Sequence, residues 1–436
     1  MKKKHLIVVS VDALVYEDLE YAKNFPMFKK ILEEGSLVKR VRTIYPSLTH
    51  PVHASIITGN AAGKTGVPCN EIFKAGKKNR PWYNYLNQIK CETIFHAAHD
   101  AGLTTAACCW PVTAGKNEVI DYLIPTALNE DMENNEDNPV EVYRKLGATD
   151  NVIDIIEKSL EKYGCDLGHP DVDDFLIECA AEVIKKYKPN VLFTHPAYVD
   201  SARHRTGLFS SMVNTAIEKT DEWLIKLWNA VCDAGIEDET DLVVLSDHGH
   251  LNICRTICPN VLLADEGLLK TNEKGELQSW EAYISSCALS AHVYLSRPDD
   301  VTLWDKVYNL LNRLANEKLY GFERVLTREE VQEIYGLDGD FSFVLETDGY
   351  TSFKEDCTRP IVRELNVKDY RYGNSTHGHM PEKGLQPPFL AMGPSFQNKV
   401  VLEYSSILNF APTFAKILGV EMSDAEGTAI NEIIRK

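Results

Sequence analysis

Three short runs of apolar residues set the limits on how this chain can fold. Leu6 to Val11, Val191 to Thr194 and Leu242 to Leu245 are continuous rather than alternating. Each stops at a polar cluster: Asp12, His195-Pro196, and Ser246-Asp247-His248. A strand with one wet face alternates apolar and polar residues, whereas a continuous run needs cover on both faces, as in a parallel sheet between helices. The covering helices are legible too. Phe25 to Glu34, Glu92 to Gly102, Asp171 to Lys188 and Met212 to Ala234 read as helical, with Gly35 and Gly235 as stops. Within Asp171–Lys188, the side chains of Phe175, Leu176, Cys179, Val183, Ile184 and Tyr187 share one face, and Pro189 ends the helix. Leu103 to Cys109 and Phe389 to Met392 read as further strands, and about Ser405 to Leu418 as a closing helix. The expected fold class is α/β.

At 436 residues the chain exceeds one typical core, so one large domain with insertions, or two domains, is expected. From about Asn260 to Tyr372 the pattern changes. Alternation in His292-Val293-Tyr294-Leu295, a helix from Val301 to Asn316, and the capping-box spacing of Thr327 and Glu330 point to an α+β insertion. This predicts a catalytic part at 1–260 and 373–436 and an inserted cap at 261–372. Leu128 to Pro139 reads as an acidic, Asn-rich surface loop.

A formal charge of −18 argues against a general surface for nucleic-acid polymers or anionic membranes. It leaves room for a small phosphorylated substrate at a site whose sign is reversed by bound metal. The basic start, Met1-Lys2-Lys3-Lys4, precedes an apolar run of about six residues, too short for the core of a signal peptide. No run approaches the roughly 18 apolar residues that span a bilayer. Eleven cysteines at irregular positions then predict reduced thiols and a cytoplasmic location. Cys254-x3-Cys258 has no second Cys or His pair at suitable spacing and reads as ordinary packing.

The chemistry gathers around Ser47-Leu48-Thr49-His50-Pro51-Val52-His53, followed by Ile57-Thr58-Gly59. A helix opening near Thr49 tolerates Pro51 in its first turn, and its free N–H groups suit an anion. The Thr49 hydroxyl is then either a helix cap or a nucleophile. Gly63-Lys64-Thr65 invites comparison with a phosphate-binding loop, but the first glycine is missing, since position 58 is Thr58, and a helix precedes it. Four other segments compete for one explanation: Asp12, Asp200-x3-His204, Asp247-His248, and His377 or His379. Carboxylate oxygen and neutral imidazole nitrogen suit zinc and similar divalent ions. Asp200 and His204, four apart, share one side of a helical turn.

This ordered set resembles the alkaline phosphatase superfamily and, more narrowly, is similar to its nucleotide pyrophosphatase/phosphodiesterase branch. The resemblance rests on Asp12, Thr49-His50-Pro51-Val52-His53, Ile57-Thr58-Gly59, Asp200-x3-His204-x2-Gly207, Asp247-His248-Gly249 and His377-Gly378. It covers about residues 5–110, 190–260 and 373–420. It implies two zinc ions, other divalent ions being alternatives: Asp200, His204 and His377 match the ligands of one, and Asp12, Asp247 and His248 those of the other. Thr49 matches a nucleophile that also bridges toward the metals. Asn70 matches an asparagine that binds a phosphoryl oxygen together with the nucleophile's backbone N–H. His250 and His379 lie beside matched positions, and are expected as supporting or surface residues.

The expected architecture is a three-layer α/β/α domain with a mainly parallel central sheet and an α+β insertion roofing the site. The expected reaction is cleavage of phosphodiester or nucleotide pyrophosphate bonds through phosphorylated Thr49. Rivals are a phosphonate hydrolase or phosphomonoesterase of the same superfamily and, from another class, a catalytically silent metal-binding protein. A sulfatase is disfavoured because its Cys/Ser-x-Pro-x-Arg segment is absent, and a phosphoglycerate mutase because its nucleophile is serine. Arg203 stands where many relatives have glycine; it is either solvent-exposed or a second cation for a monoester. The leaving group and the oligomeric state have no sequence signature.

Overall fold

A computed structural model describes residues 4–77, 79–127, 138–164, 168–369, 371 and 373–436. Most of the expected acidic loop at 128–139, and the boundary residue Tyr372, lie outside the described residues. Eight strands form the central sheet: β1 (His5–Ser10), β2 (Ser36–Arg42), β3 (Thr105–Cys108), β4 (Tyr122–Ile124), β5 (Val191–Thr194), β6 (Thr240–Leu245), β7 (Phe389–Met392) and β8 (Val401–Ser406). Their order is β8-β2-β7-β6-β1-β5-β3-β4. Every pairing is parallel except those of β7, which runs antiparallel to both β2 and β6.

The continuous apolar runs are explained by what each residue faces. Ile7, Val9, Leu192, Leu242 and Val244 enter one core, while Leu6, Val8, Val191, Phe193, Val243 and Leu245 enter the other. Successive side chains of a strand point to opposite faces, so two covered faces demand apolar residues at both parities. The first core is closed by helices including α1 (Pro26–Glu34), α4 (Ile153–Tyr163), α5 (Asp171–Tyr187), α6 (Tyr198–Thr206) and α7 (Ser211–Ala234). The second is closed by α2 (Thr49–Thr58), α3 (Ile94–Asp100) and α8 (Phe410–Leu418). The three-layer α/β/α architecture is therefore present. Phe193, fully buried against Phe95, Trp110 and Phe414, sits at the middle of the second face. Truncating it to alanine would cost roughly 3–5 kcal/mol.

Two expectations need correction. The closing helix starts at Phe410 rather than Ser405, because Val401–Ser406 is an edge strand paired in parallel with β2. Its run Val-Leu-Glu-Tyr-Ser-Ser is largely exposed and so carries no clean alternation. The expected 128–139 loop also ends one residue early, since Asn138 caps a helix that begins at Pro139.

Between β6 and β7 the chain builds a third apolar core around the antiparallel strands Ala282–Cys287, Ser290–Leu295, Phe343–Thr347 and Phe322–Thr327. The helix Val301–Glu317 packs on it, and Thr327 and Glu330 form the expected reciprocal cap. A three-stranded sheet reaches back to Arg255–Ile257, which pairs with Thr351–Phe353 and Val362–Glu364. No described helix is long and apolar enough to cross a membrane.

Candidate active site

The carboxyl ends of β1, β5 and β6 deliver the acidic segments to one place, as the edge of an open parallel sheet does. Asp12 follows β1, and its backbone N–H donates to the Pro196 carbonyl after β5 (3.0 Å). Asp247 and His248 follow β6, held by Thr43 Oγ1 donating to the Asp247 carbonyl (2.7 Å). Asp200 and His204 lie one turn apart on α6. His250 and His377 flank a two-stranded ribbon, Leu251–Asn252 against Ser375–Thr376, which brings the late segment to the early ones.

Asp12, Asp247 and His248 form the first cluster. His248 Nε2 lies 3.2 Å from Asp247 Oδ2, 3.6 Å from Asp12 Oδ1 and 3.4 Å from Thr49 Oγ1. Asp12 Oδ1 and Asp247 Oδ2 are buried without a hydrogen-bond donor. Burial and the Asp247 carboxylate push Asp12 well above the usual carboxylate range, and burial raises Asp247 to about 7. Two buried, facing carboxylates of this kind are stable together only with a cation or proton between them.

The second cluster is Asp200, His250, His377 and His248, which both clusters share, with His204 beside them. Here hydrogen bonding fixes the imidazole tautomers. His204 Nδ1 donates to the Ser375 carbonyl (2.8 Å) and His377 Nδ1 to the Ser47 carbonyl (2.9 Å), since a carbonyl can only accept. Both Nε2 lone pairs therefore turn inward, 3.4 and 3.8 Å from Asp200 Oδ1. Ser375 Oγ donates to the Arg203 carbonyl and lies 3.0 Å from His250 Nδ1. His250 Nε2 lies 2.6 Å from Asp200 Oδ1, where the imidazole N–H donates and the carboxylate accepts. Burial holds His250 well below its ordinary value and brings His377 down to about 4, so both are neutral at pH 7. Although burial opposes it, His204 and His250 keep Asp200 well below the carboxylate range. His204 and His377, each with Nδ1–H pinned outward and Nε2 facing the Asp200 carboxylate, make with it the donor set of a divalent cation. The residues present fit two such ions.

Thr49 is the first residue of α2, and the preceding Leu48 occupies the cap position with no side-chain bond. Its hydroxyl therefore does not cap the helix; it faces His248 and the first cluster. The N–H groups of this first turn have no helical acceptor. Asn70 Oδ1 accepts from the His50 N–H (2.9 Å), which fixes the Asn70 side chain at the first turn of α2. Each residue expected at the site is thus found at one edge of the sheet. Lys64 of the rejected phosphate-loop triplet instead pairs with Asp424, and no cysteine joins a metal-type cluster among the described residues.

Arg203 is neither exposed nor aimed at the site. It is fully buried, with Nε donating to the Ala13 carbonyl (3.0 Å) and the guanidinium paired with Asp18 and the Leu208 carbonyl. Ala13 takes a left-handed backbone (φ 58°) and its N–H donates to Asp247 Oδ1 (3.1 Å). Arg203 thereby ties the helix that carries Asp200 and His204 to the turn after Asp12. Sequence reading gave no role to His195, or to His53 within the quoted Thr49–His53 segment, and both are buried at the first cluster. His195 Nε2 is 3.2 Å from Asp12 Oδ2, and His53 is 3.6 Å from Asp247. Only their place directly after a strand, or four residues beyond Thr49, could have marked them.

Residues 6–349 match the family model described as type I phosphodiesterase / nucleotide pyrophosphatase. Ectonucleotide pyrophosphatase/phosphodiesterase family member 3 of Mus musculus is 20% identical over 448 residues, covering 99% of this chain and 44% of that protein. Family member 5 of Homo sapiens is 24% identical over 253 residues, covering 57% of this chain and 45% of that protein. The chain spans less than half the length of these curated relatives. The structure of an inactive variant of murine ectonucleotide pyrophosphatase/phosphodiesterase 5, in complex with AMP, superposes with a TM-score of 0.68 at 18% identity over 100% of both chains. The human counterpart gives 0.68 at 18% identity, covering 99% of this chain and 100% of that one. At such identity these likenesses show the fold.

Proposed function

This chain belongs to the type I phosphodiesterase / nucleotide pyrophosphatase family, and from that premise we propose that it hydrolyses phosphodiester or nucleotide pyrophosphate bonds through phosphorylated Thr49. The observation that carries the reading is the placement of Thr49 Oγ1 within 3.4 Å of His248 Nε2, at a helix start, with Asn70 locked against the next N–H. Asp12, Asp247 and His248 would hold one divalent ion, and Asp200, His204 and His377 a second, with His250 beside them; zinc is the ion proposed, given the nitrogen and carboxylate donors. Such ions supply a lowered pKa for an alcohol or water nucleophile and neutralise charge on the attacking and leaving oxygens.

The chain's own groups do the rest. Thr49 Oγ1 attacks phosphorus, and the bond from phosphorus to the leaving oxygen breaks. Asn70 Nδ2 and the Thr49 N–H take a non-bridging oxygen, as donors pre-aimed at charge that grows in the transition state. Water then releases the phosphoryl group from Thr49. The helix start favours the anion throughout.

A diester preference over monoesters follows from the charges. A monoester brings a second negative charge and calls for an additional cation. Arg203 is spent on Asp18, and the arginines flanking the Asn70 segment are matched by acids: Arg80 with Glu71 and Glu355, Arg371 with Glu71. An AMP complex of a structural neighbour supports a nucleotide as the substrate class.

Thr49→Ala tests this reading directly. It should lower hydrolysis of a bis(nitrophenyl) phosphate by several powers of ten while bound zinc and the thermal transition stay close to the parent. Activity within tenfold of the parent would remove Thr49 from the mechanism.

A further inference from the structure

Cys69 and Cys287 come from distant parts of the chain, yet their sulfurs lie 3.4 Å apart. Both are buried, Cys69 with 6% and Cys287 with 1% of its surface exposed, and Leu48 closes the third side of the pocket they form. Each thiol sits one step from the catalytic apparatus. Cys69 precedes Asn70. Cys287 ends the strand Ala282–Cys287, and the turn after it is bonded to the His377 segment: Leu289 N–H donates to the His377 carbonyl (3.1 Å) and Ser290 Oγ to the Gly378 carbonyl (2.6 Å). The Cys287 carbonyl packs so closely on Gly378 that a Cβ there would meet it at 2.0 Å. Gly378 also has φ 94°, so only glycine fits that contact.

We propose that Cys69 and Cys287 are a reversible oxidation site, taking a hydroperoxide as oxidant, whose disulfide draws the Asn70 segment against the turn behind His377 and slows turnover. The two thiols are unequal in the way such a reaction needs. The hydrogen bond with Cys287 is the main cause that brings the Cys69 thiol down to about 7, with Arg80 and Arg371 adding to it, while the same bond and burial push Cys287 well up. Cys69, the less buried of the two, is the attacking thiol and Cys287 the resolving one. The Cys69 thiolate attacks the terminal peroxide oxygen and the O–O bond breaks, giving a sulfenic acid and an alcohol, or water from hydrogen peroxide. Cys287 sulfur then attacks Cys69 sulfur, the S–O bond breaks and water leaves. In sum, two thiols and one hydroperoxide give one disulfide, one alcohol and one water, with two electrons passing from sulfur to oxygen.

The cost to turnover comes from distance. Closing 3.4 Å to a bond of about 2.0 Å moves the two segments together by about 1.4 Å in all. Asn70 holds its position through the His50 N–H and through its carbonyl, which accepts from the Tyr83 N–H (2.9 Å). A displacement of order 1 Å at a positioning group costs about 10²-fold in rate, so a loss of tenfold or more is expected here.

The full chain, metal-loaded, is treated with stoichiometric hydrogen peroxide and followed by peptide mass spectrometry and by diesterase turnover. The covalent readout is independent of the proposed hydrolase activity; only the turnover readout rests on it. The expected result is a linked peptide pair containing Cys69 and Cys287, two hydrogens lighter, with turnover reduced at least tenfold and regained in dithiothreitol. Cys69→Ser should show neither change. Cys287→Ser should stop at a Cys69 sulfenic acid that dimedone traps. Absence of the linked peptide, turnover that is unchanged once the link has formed, or an equal loss of turnover in Cys69→Ser would each overturn the proposal.

Discussion

Arg203→Met separates a structural arginine from a substrate-binding one. In the folded protein the guanidinium is fully buried, bonds to the Ala13 carbonyl, the Leu208 carbonyl and Asp18, and lies over the Phe209 ring. Asp18 is itself 3% exposed and keeps one other donor, the Val15 N–H at 2.8 Å. Removing Arg203 leaves a buried carboxylate with a single neutral donor. Breaking one side of a buried pair costs about 3–5 kcal/mol, a large share of the 5–15 kcal/mol that stabilises a typical domain. The pair's net worth is smaller, because both charges were desolvated to make it. Arg203→Met with Asp18→Asn should therefore recover at least about 2 kcal/mol of the loss, a coupling of the size seen for residues in contact. Urea unfolding of parent, both single variants and the double variant closes the cycle. Loosening the Ala13 turn should also weaken zinc retention, because that turn carries Asp12 and donates to Asp247. The reasoning fails if Arg203→Met costs under about 1 kcal/mol, or if its main effect is a raised KM for monoesters at unchanged stability and metal content.

Asn70→Ala removes the acceptor for the His50 N–H and the proposed phosphoryl donor, and should lower kcat by about 10²–10³-fold with a smaller change in KM, read from steady-state kinetics. A strong chelator should abolish turnover and zinc should restore it; the stripped protein should unfold at lower temperature, since facing carboxylates lose their counter-charge, as calorimetry would show. Glu346 supplies a pH dependence. Burial raises it to about 7 despite Lys383 at 2.9 Å and Tyr45 Oη at 3.0 Å. Because the folded state then binds this proton more tightly than the unfolded one, its contribution is complete below pH 4.5 and is lost as pH rises toward 7. Glu346→Gln should flatten that part of the urea-stability profile between pH 5 and 7.5, and an unchanged slope would count against it.

The sequence by itself determined the layered sheet and the residues of its chemical edge. Leu6–Val11, Val191–Thr194 and Leu242–Leu245 are apolar at both parities, a demand made only by burial on both faces, and each hands its next polar residue to the end of the strand. Asp200 and His204 were readable as one unit because helical geometry is local. What only tertiary structure decided depends on partners distant in the chain. The direction in which His204 and His377 point follows from the carbonyls that hold their Nδ1 atoms, at Ser375 and Ser47. Val401–Ser406 is a strand because β2 offers it an edge, while its own polar, exposed residues carry no period. Arg203 was expected either in solvent or at a phosphoryl group, since nothing near it in sequence announces Asp18, 185 positions away. A lone cation has no local signature of its partner, and burial without one is prohibitive, so the fold alone settles which way it turns.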